Sequence, residues 1–206
     1  QLTPPYSLLG RDIDMDNVQD LYRWVEYHKW RLDAEWYTPV VGKLVLKAAS
    51  KMGFLGSYNR EIGAPPFERF EVGGDGLSNQ QFGITGKDIL AMRGYEVDDI
   101  AANQRGGATI FNKFTAELRY PLSLNPSSTI FGLLFVEGGN AWKNFDDYNP
   151  FDLKRSAGVG VRAYLPMFGL LGFDFGYGFD NNAKIRQGAK WTEFGNFNII
   201  LGFEPD

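Results

Sequence analysis

The chain contains no cysteine and one histidine, His28, among 206 residues. Disulfide staples and thiolate metal sites are therefore excluded, and a multi-histidine metal centre or a Ser-His-Asp triad has almost nothing to draw on. Basic excess is also missing: 21 Lys and Arg stand against 25 Asp and Glu, for a net charge of −4. That balance gives no basis for a nucleic-acid partner. No apolar run approaches the ~18 residues of a transmembrane helix. The opening "QLTPPYSLLGRDID" lacks the basic end and apolar stretch of a secretory signal.

What is abundant is aromatic side chains, 16% of the chain, and glycine, 25 residues. Mean hydropathy is nonetheless only −0.28. Many aromatics and glycines in a moderately polar chain suit a membrane β-barrel, where one face of each strand is apolar.

Residues 1–26 read as an irregular extracellular segment in which "NVQDLYRWV" (17–25) could form a short helix. From residue 27 the pattern changes to alternation. In "KWRLDAEWY" (29–37), Trp30, Leu32, Ala34 and Trp36 alternate with Lys29, Arg31, Asp33, Glu35 and Tyr37. Period two over a whole segment predicts a strand with one apolar and one polar face. Similar runs follow at 43–55, 112–122, 129–142, 156–165, 170–179 and 194–203. Each is close to the ~10 residues that a tilted strand needs to cross a bilayer. The connections "TPVVGK" (38–43), "YPLSLNPSST" (120–129) and "LPMFGL" (165–170) read as short turns. Those at 56–111, 143–155 and 180–193 are long and polar, and 56–111 is too long for a structureless loop unless it is functional.

A soluble sandwich or barrel also alternates. Two features favour the membrane. The face opposite the aromatics carries charge and glycine together: Asp33 and Glu35, Glu117 and Arg119, Glu137, Arg162, Asp174. A wet lumen tolerates the charges and glycine makes room there. Trp30, Trp36, Tyr120, Trp142, Tyr164 and Trp191 lie near strand ends, as in aromatic girdles. About seven strands is an odd number, and an open sheet in lipid leaves edge groups unpaired. The expectation is the C-terminal part of a larger all-β, antiparallel transmembrane barrel.

The order of motifs over residues 27–206 resembles the BamA family of outer-membrane assembly proteins. "APPFERFEVGGDG" (64–76) is similar to that family's P-F-x-x-x-F-x-x-G-G approach to its longest loop, and "MRGYE" (92–96) to the [VI]-R-G-[FY] loop tip. "FVEGGNAW" (135–142), "RSAGVGVRAYLPMFGLLGFDFGYGF" (155–179) and "FNIILGF" (197–203) resemble later family strands. Three features depart from the pattern: sixteen residues (77–92) before the arginine, Met92 where the family prefers Val or Ile, and "EPD" after the last aromatic.

The resemblance implies about seven strands of a 16-stranded barrel in the bacterial outer membrane. It implies an insertase that folds client barrels through a weakly closed lateral seam, without cofactor or ATP. Implied partners are unfolded outer-membrane clients, periplasmic or lipoprotein accessory subunits, and the bilayer with its lipopolysaccharide. It folds the long loop into the lumen, with Arg93, Gly94 and Tyr95 at the tip and Arg93 reaching acidic residues on the wall. Glu117 and Glu137 are the candidates, with Tyr95 packed beside the fork. The seam strand comprises Phe194, Gly195, Phe197, Ile199, Leu201, Gly202 and Phe203. Its glycines either weaken the closing strand or relieve crowding at a bend. Relatives with the same tip also serve as TamA-like or two-partner-secretion channels, and a passive pore is a further class. No enzyme is expected: no G-x-S-x-G is present, and alternating lumen charges account for Glu137 and Asp174.

Overall fold

A computed structural model describes residues 1–9, 17, 25–59, 61–74, 86–125, 128–166, 169–181, 184–185 and 188–202. Most of 17–25, part of the 77–92 insertion and Phe203 lie outside them, as does the side chain of Leu201. Seven strands form one antiparallel sheet: β1 (His28–Val41), β2 (Leu44–Gly56), β5 (Ile110–Asn125), β6 (Ser128–Trp142), β7 (Lys154–Leu165), β8 (Gly169–Gly178) and β9 (Gly195–Gly202). Two three-residue strands, β3 (Phe70–Val72) and β4 (Asp88–Leu90), pair in parallel within the long connection. The main sheet runs β1-β2-β5-β6-β7-β8-β9 and is open among the described residues. Beside β1, Leu2 bridges His28, and Gln1 and Lys29 exchange backbone hydrogen bonds of 2.8 Å.

Strands run further than alternation predicts. The pattern predicts turns at "TPVVGK" and "YPLSLNPSST", but β1 continues to Val41 and β5 to Asn125. Pro39 and Pro121 each sit at a register shift. A bulge lets a strand absorb a residue that has no N–H to donate. The first turn narrows to Gly42 and Lys43, with Gly42 at φ +57°.

The two faces separate by parity. On the outer face Trp30, Leu32, Trp36, Leu134, Val136, Val159, Phe173, Phe175 and Phe197 are exposed, Trp36 by 70%. On the inner face Glu117, Glu137, Arg162 and Asp174 are buried. Such a wall is apolar outside and charged inside, the reverse of a soluble barrel.

The segment 56–111 is packed rather than structureless. Its Phe70, Val72, Leu90, Met92, Tyr95, Ile100, Ala102 and Ala108 form a hydrophobic core with Leu55, Phe111 and Ala141 of the sheet's inner face. Phe70 meets Phe111 edge-on at 4.7 Å. The inner wall is thus apolar where the loop covers it and ionic beyond the tip. Lys29, at the start of β1, ties the loop down through Glu68 (3.0 Å) and Asp88 (2.8 Å).

Candidate functional site

Residues before and after the insertion meet in space. Gly73 N–H donates to Leu90 O (2.9 Å), Gly74 N–H to Tyr95 O (2.8 Å), and Met92 N–H back to Gly74 O (3.1 Å). The extra residues therefore leave and return at one place, and the tip keeps its reach. Met92 is buried in the loop core and takes the role of a branched residue by filling space.

Arg93 is 6% exposed. Its Nη2 donates to Glu117 Oε1 (2.6 Å) and Glu137 Oε1 (2.7 Å), and its Nε also donates to Glu137 Oε1 (3.1 Å). The Arg93 backbone N–H donates to Glu137 Oε2 (2.9 Å), and Nη1 reaches Asp174 Oδ2 at 3.4 Å. Strand register explains the cradle. Phe135 lies directly opposite Glu117 on the neighbouring strand, and Glu137 opposite Thr115. Two diagonal carboxylates are thus separated by one aromatic ring on the same face. The guanidinium lies on that ring, 3.7 Å from its centroid. Burial by itself would depress the Arg93 pKa; the charges of Glu137 and Glu117, with the hydrogen bonds that Arg93 donates to Glu137, outweigh it and hold the group above its usual value.

The acids have further partners. Arg162 meets Asp174 through two bonds of 2.6 Å, Lys113 lies 3.4 Å from Glu137, and Arg119 chelates Glu117. Three carboxylates and four cations thus form one ion-pair network inside the wall. Sequence reasoning finds Glu117 and Glu137 but misses Asp174, Arg162 and Phe135 as members. The signal lies in glycine positions: Gly160 stands opposite Asp174, and Gly172 opposite Arg162. A Cβ at Gly172 would come 2.7 Å from Arg162 Cδ. Reading that pattern requires the register, which periodicity does not provide.

The aromatic beneath the arginine is Phe135, and not Tyr95 as expected. Tyr95 turns to the rim of the wall instead. Its hydroxyl donates to Arg155 O (2.8 Å) and accepts from Asp180 N–H (2.9 Å). Asp180 is in turn chelated by Arg155, with 2.9 Å from Nε to Oδ2 and 2.9 Å from Nη2 to Oδ1. The tip thereby holds the start of the connection that leads into β9. Burial pushes the Tyr95 phenol up to about 12. A raised folded pKa contributes stability that is complete below the ordinary tyrosine value of about 10 and lost as pH rises toward the folded value. Tyrosinate absorbance should therefore show a late-titrating group that disappears in Tyr95→Phe. The same substitution should speed hydrogen exchange at Asp180, since a lost buried bond costs about 1–3 kcal/mol; unchanged exchange there would refute the latch.

At the seam, Phe194 closes a 3₁₀ turn (Trp191–Phe194) rather than belonging to β9, and Gly195 begins the strand. A Cβ at Gly195 would meet Phe175 Cζ at 2.6 Å, so crowding accounts for this glycine. Phe197 and Ile199 face outward, and Asn198 and Ile200 inward.

An antiparallel sheet with an apolar outside, an ion-paired inside and a long connection packed against the inner face is the wall of a transmembrane β-barrel. A family model described as the Omp85 superfamily domain matches residues 14–203, and the chain belongs to that superfamily. Its members are outer-membrane proteins that insert or translocate polypeptides. No curated protein matches the chain.

Proposed function

We propose that this chain forms the seam-bearing part of a BamA-type insertase in the bacterial outer membrane. The observation that carries the reading is β9. It spans eight residues, from Gly195 to Gly202, and among the described residues it pairs with β8 alone. The other six wall strands span 10 to 16 residues. A short strand with one described neighbour gives up few ladder bonds when it parts from that neighbour. Its backbone then offers a template on which an incoming strand pairs before it meets lipid, where unpaired N–H and C=O groups are prohibitive. The work is exchange of hydrogen bonds, so no catalytic residue, cofactor or nucleotide takes part. Unfolded outer-membrane proteins are the clients, periplasmic or lipoprotein accessory subunits deliver them, and residues 1–26 lie on the extracellular side.

Cysteines placed singly at Asn196 and Asn198 of the full-length protein provide the test. Each should cross-link to a stalled, unfolded barrel client carrying a cysteine in its terminal strand, and should not cross-link to the folded client. The same protein in vesicles should raise the client's folding rate at least tenfold. Absence of both effects would overturn the proposal. Cross-links to a secreted passenger, with none to a barrel client, would indicate a translocation channel instead.

A further inference from the structure

The outer face carries two residues that do not suit lipid. Asn112 and Asn140 stand opposite each other across β5 and β6, on the parity of Phe114, Ala116 and Val136. Bare amides there would each forfeit hydrogen bonds to water. Both are buried, with 1% and 8% exposure. The cover is the connection 143–153. Asn112 Nδ2 donates to Tyr148 Oη (3.0 Å), and Asn140 Nδ2 to Asp152 O (2.8 Å).

Ring contacts define the path of that connection. Tyr148 meets the outward-facing Trp142 edge-on at 5.0 Å and 89°. Phe145 stacks on Phe54 of β2 at 6.0 Å and 12°. Leu153 Cδ1 lies 3.6 Å from where a Cβ of Gly138 would stand. Phe54, Gly138 and Trp142 all belong to the outer face. The connection therefore folds back down the outside of the wall, not over the lumen.

Two aromatics are left facing away from the protein, Phe145 at 61% and Phe151 at 90% exposure. Asn140 lies four residues from the lipid-facing Val136, about 13 Å along the strand at ~3.3 Å per residue. The outside of this connection is thus continuous with the hydrocarbon-facing wall, at the end where long connections of outer-membrane barrels meet the outer leaflet. Aromatic rings concentrate in that interfacial zone.

We propose that residues 143–153 form a membrane-docking loop, with Phe145 and Phe151 embedded in the interfacial region of the outer leaflet beside β5 and β6. The occupant of this surface is lipid. The neighbouring Asp146 and Asp147 are exposed, so attraction rests on the rings and not on anionic headgroups. This inference rests on the barrel assignment and is independent of the insertase reading.

The chain's lack of cysteine makes the test direct. Phe151→Cys and Phe145→Cys, introduced singly into the full-length protein with no other cysteine, are labelled with an environment-sensitive fluorophore. The protein is placed in phosphatidylcholine vesicles brominated on the upper acyl chain. Both labels should be quenched at least twofold by brominated lipid and shielded from iodide, at low and high salt alike. Asp98→Cys, above the lumen, should respond to iodide alone. Phe151 makes no ring stack among the described residues, so its replacement leaves the wall intact and isolates the membrane contact. Labels at both positions that stay open to iodide and indifferent to bromine would overturn the proposal. So would labels shielded from iodide yet unquenched by bromine, which would mean that protein covers this face.

Discussion

Replacing Arg93 with alanine is expected to destabilise the barrel by roughly 3–5 kcal/mol, the cost of removing one partner from a buried ion network. Glu117 loses its 2.6 Å bond and Glu137 loses both side-chain bonds from the guanidinium. Three carboxylates then share Lys113, Arg119 and Arg162. Arg93→Glu adds a fourth negative charge and should be worse than alanine. Arg93→Lys keeps the charge but cannot fork between two strands or lie flat on Phe135, and should fall between. Heat-modified mobility of the folded barrel on electrophoresis gives the order, and client assembly should fall with it. With Arg93 gone, Glu117 keeps Arg119 and Glu137 keeps Lys113, so the loss is chiefly that of the bonds that fork between two strands. Wild-type behaviour in Arg93→Glu would refute the pin altogether.

The second large effect is expected at Gly94, for two separable reasons. Its φ is +87°, where a β-branched residue is strained. A Cβ there would also stand 3.0 Å from Gly178 N, Ser156 Cβ and the Tyr177 carbonyl carbon. The wall is as tight from its own side: a Cβ at Gly176 would lie 2.7 Å from Gly94 N. Tip and strand touch backbone to backbone, so neither can give way through a side-chain rotation. Gly94→Val should therefore expel the tip and lose the Arg93 bonds with it, approaching the effect of Arg93→Ala. Gly42 separates the two causes. It has φ +57°, but a Cβ there would meet no heavy atom within 4 Å, so Gly42→Ala should show strain alone, about 1–2 kcal/mol. Equal losses in Gly42→Ala and Gly94→Ala, read by the same electrophoretic melting, would mean that close approach contributes nothing.

These two residues also show how far the chain can be read without coordinates. "MRGYE" with Glu117 and Glu137 on inward parity is enough to nominate an arginine and two acids, since alternation assigns faces without any knowledge of neighbours. It does not nominate Asp174 and Phe135. Both are visible on the same face, but their height relative to Glu117 depends on register across β6, β7 and β8. Tyr95 is misread for a related reason. Which way an aromatic turns at a loop tip depends on the acceptor within reach, and Arg155 O lies 60 positions away in the chain. Asn112 and Asn140 look like faults in an apolar face until the connection 143–153 is seen to cover them.

Local pattern by itself determined what period two can encode: a β wall, its apolar and charged faces, the long and short connections, and the charged residues available to the lumen. Side-chain direction in a strand follows from backbone geometry at each residue, so these features needed no partner. Tertiary structure alone decided what depends on alignment between distant segments: the closure of the insertion at Gly74 and Met92, the ring under Arg93, the glycines that admit the tip, and the outward fold of 143–153. Each of these is set by register and packing, and a shift of one residue in any strand would turn its side chains to the opposite face.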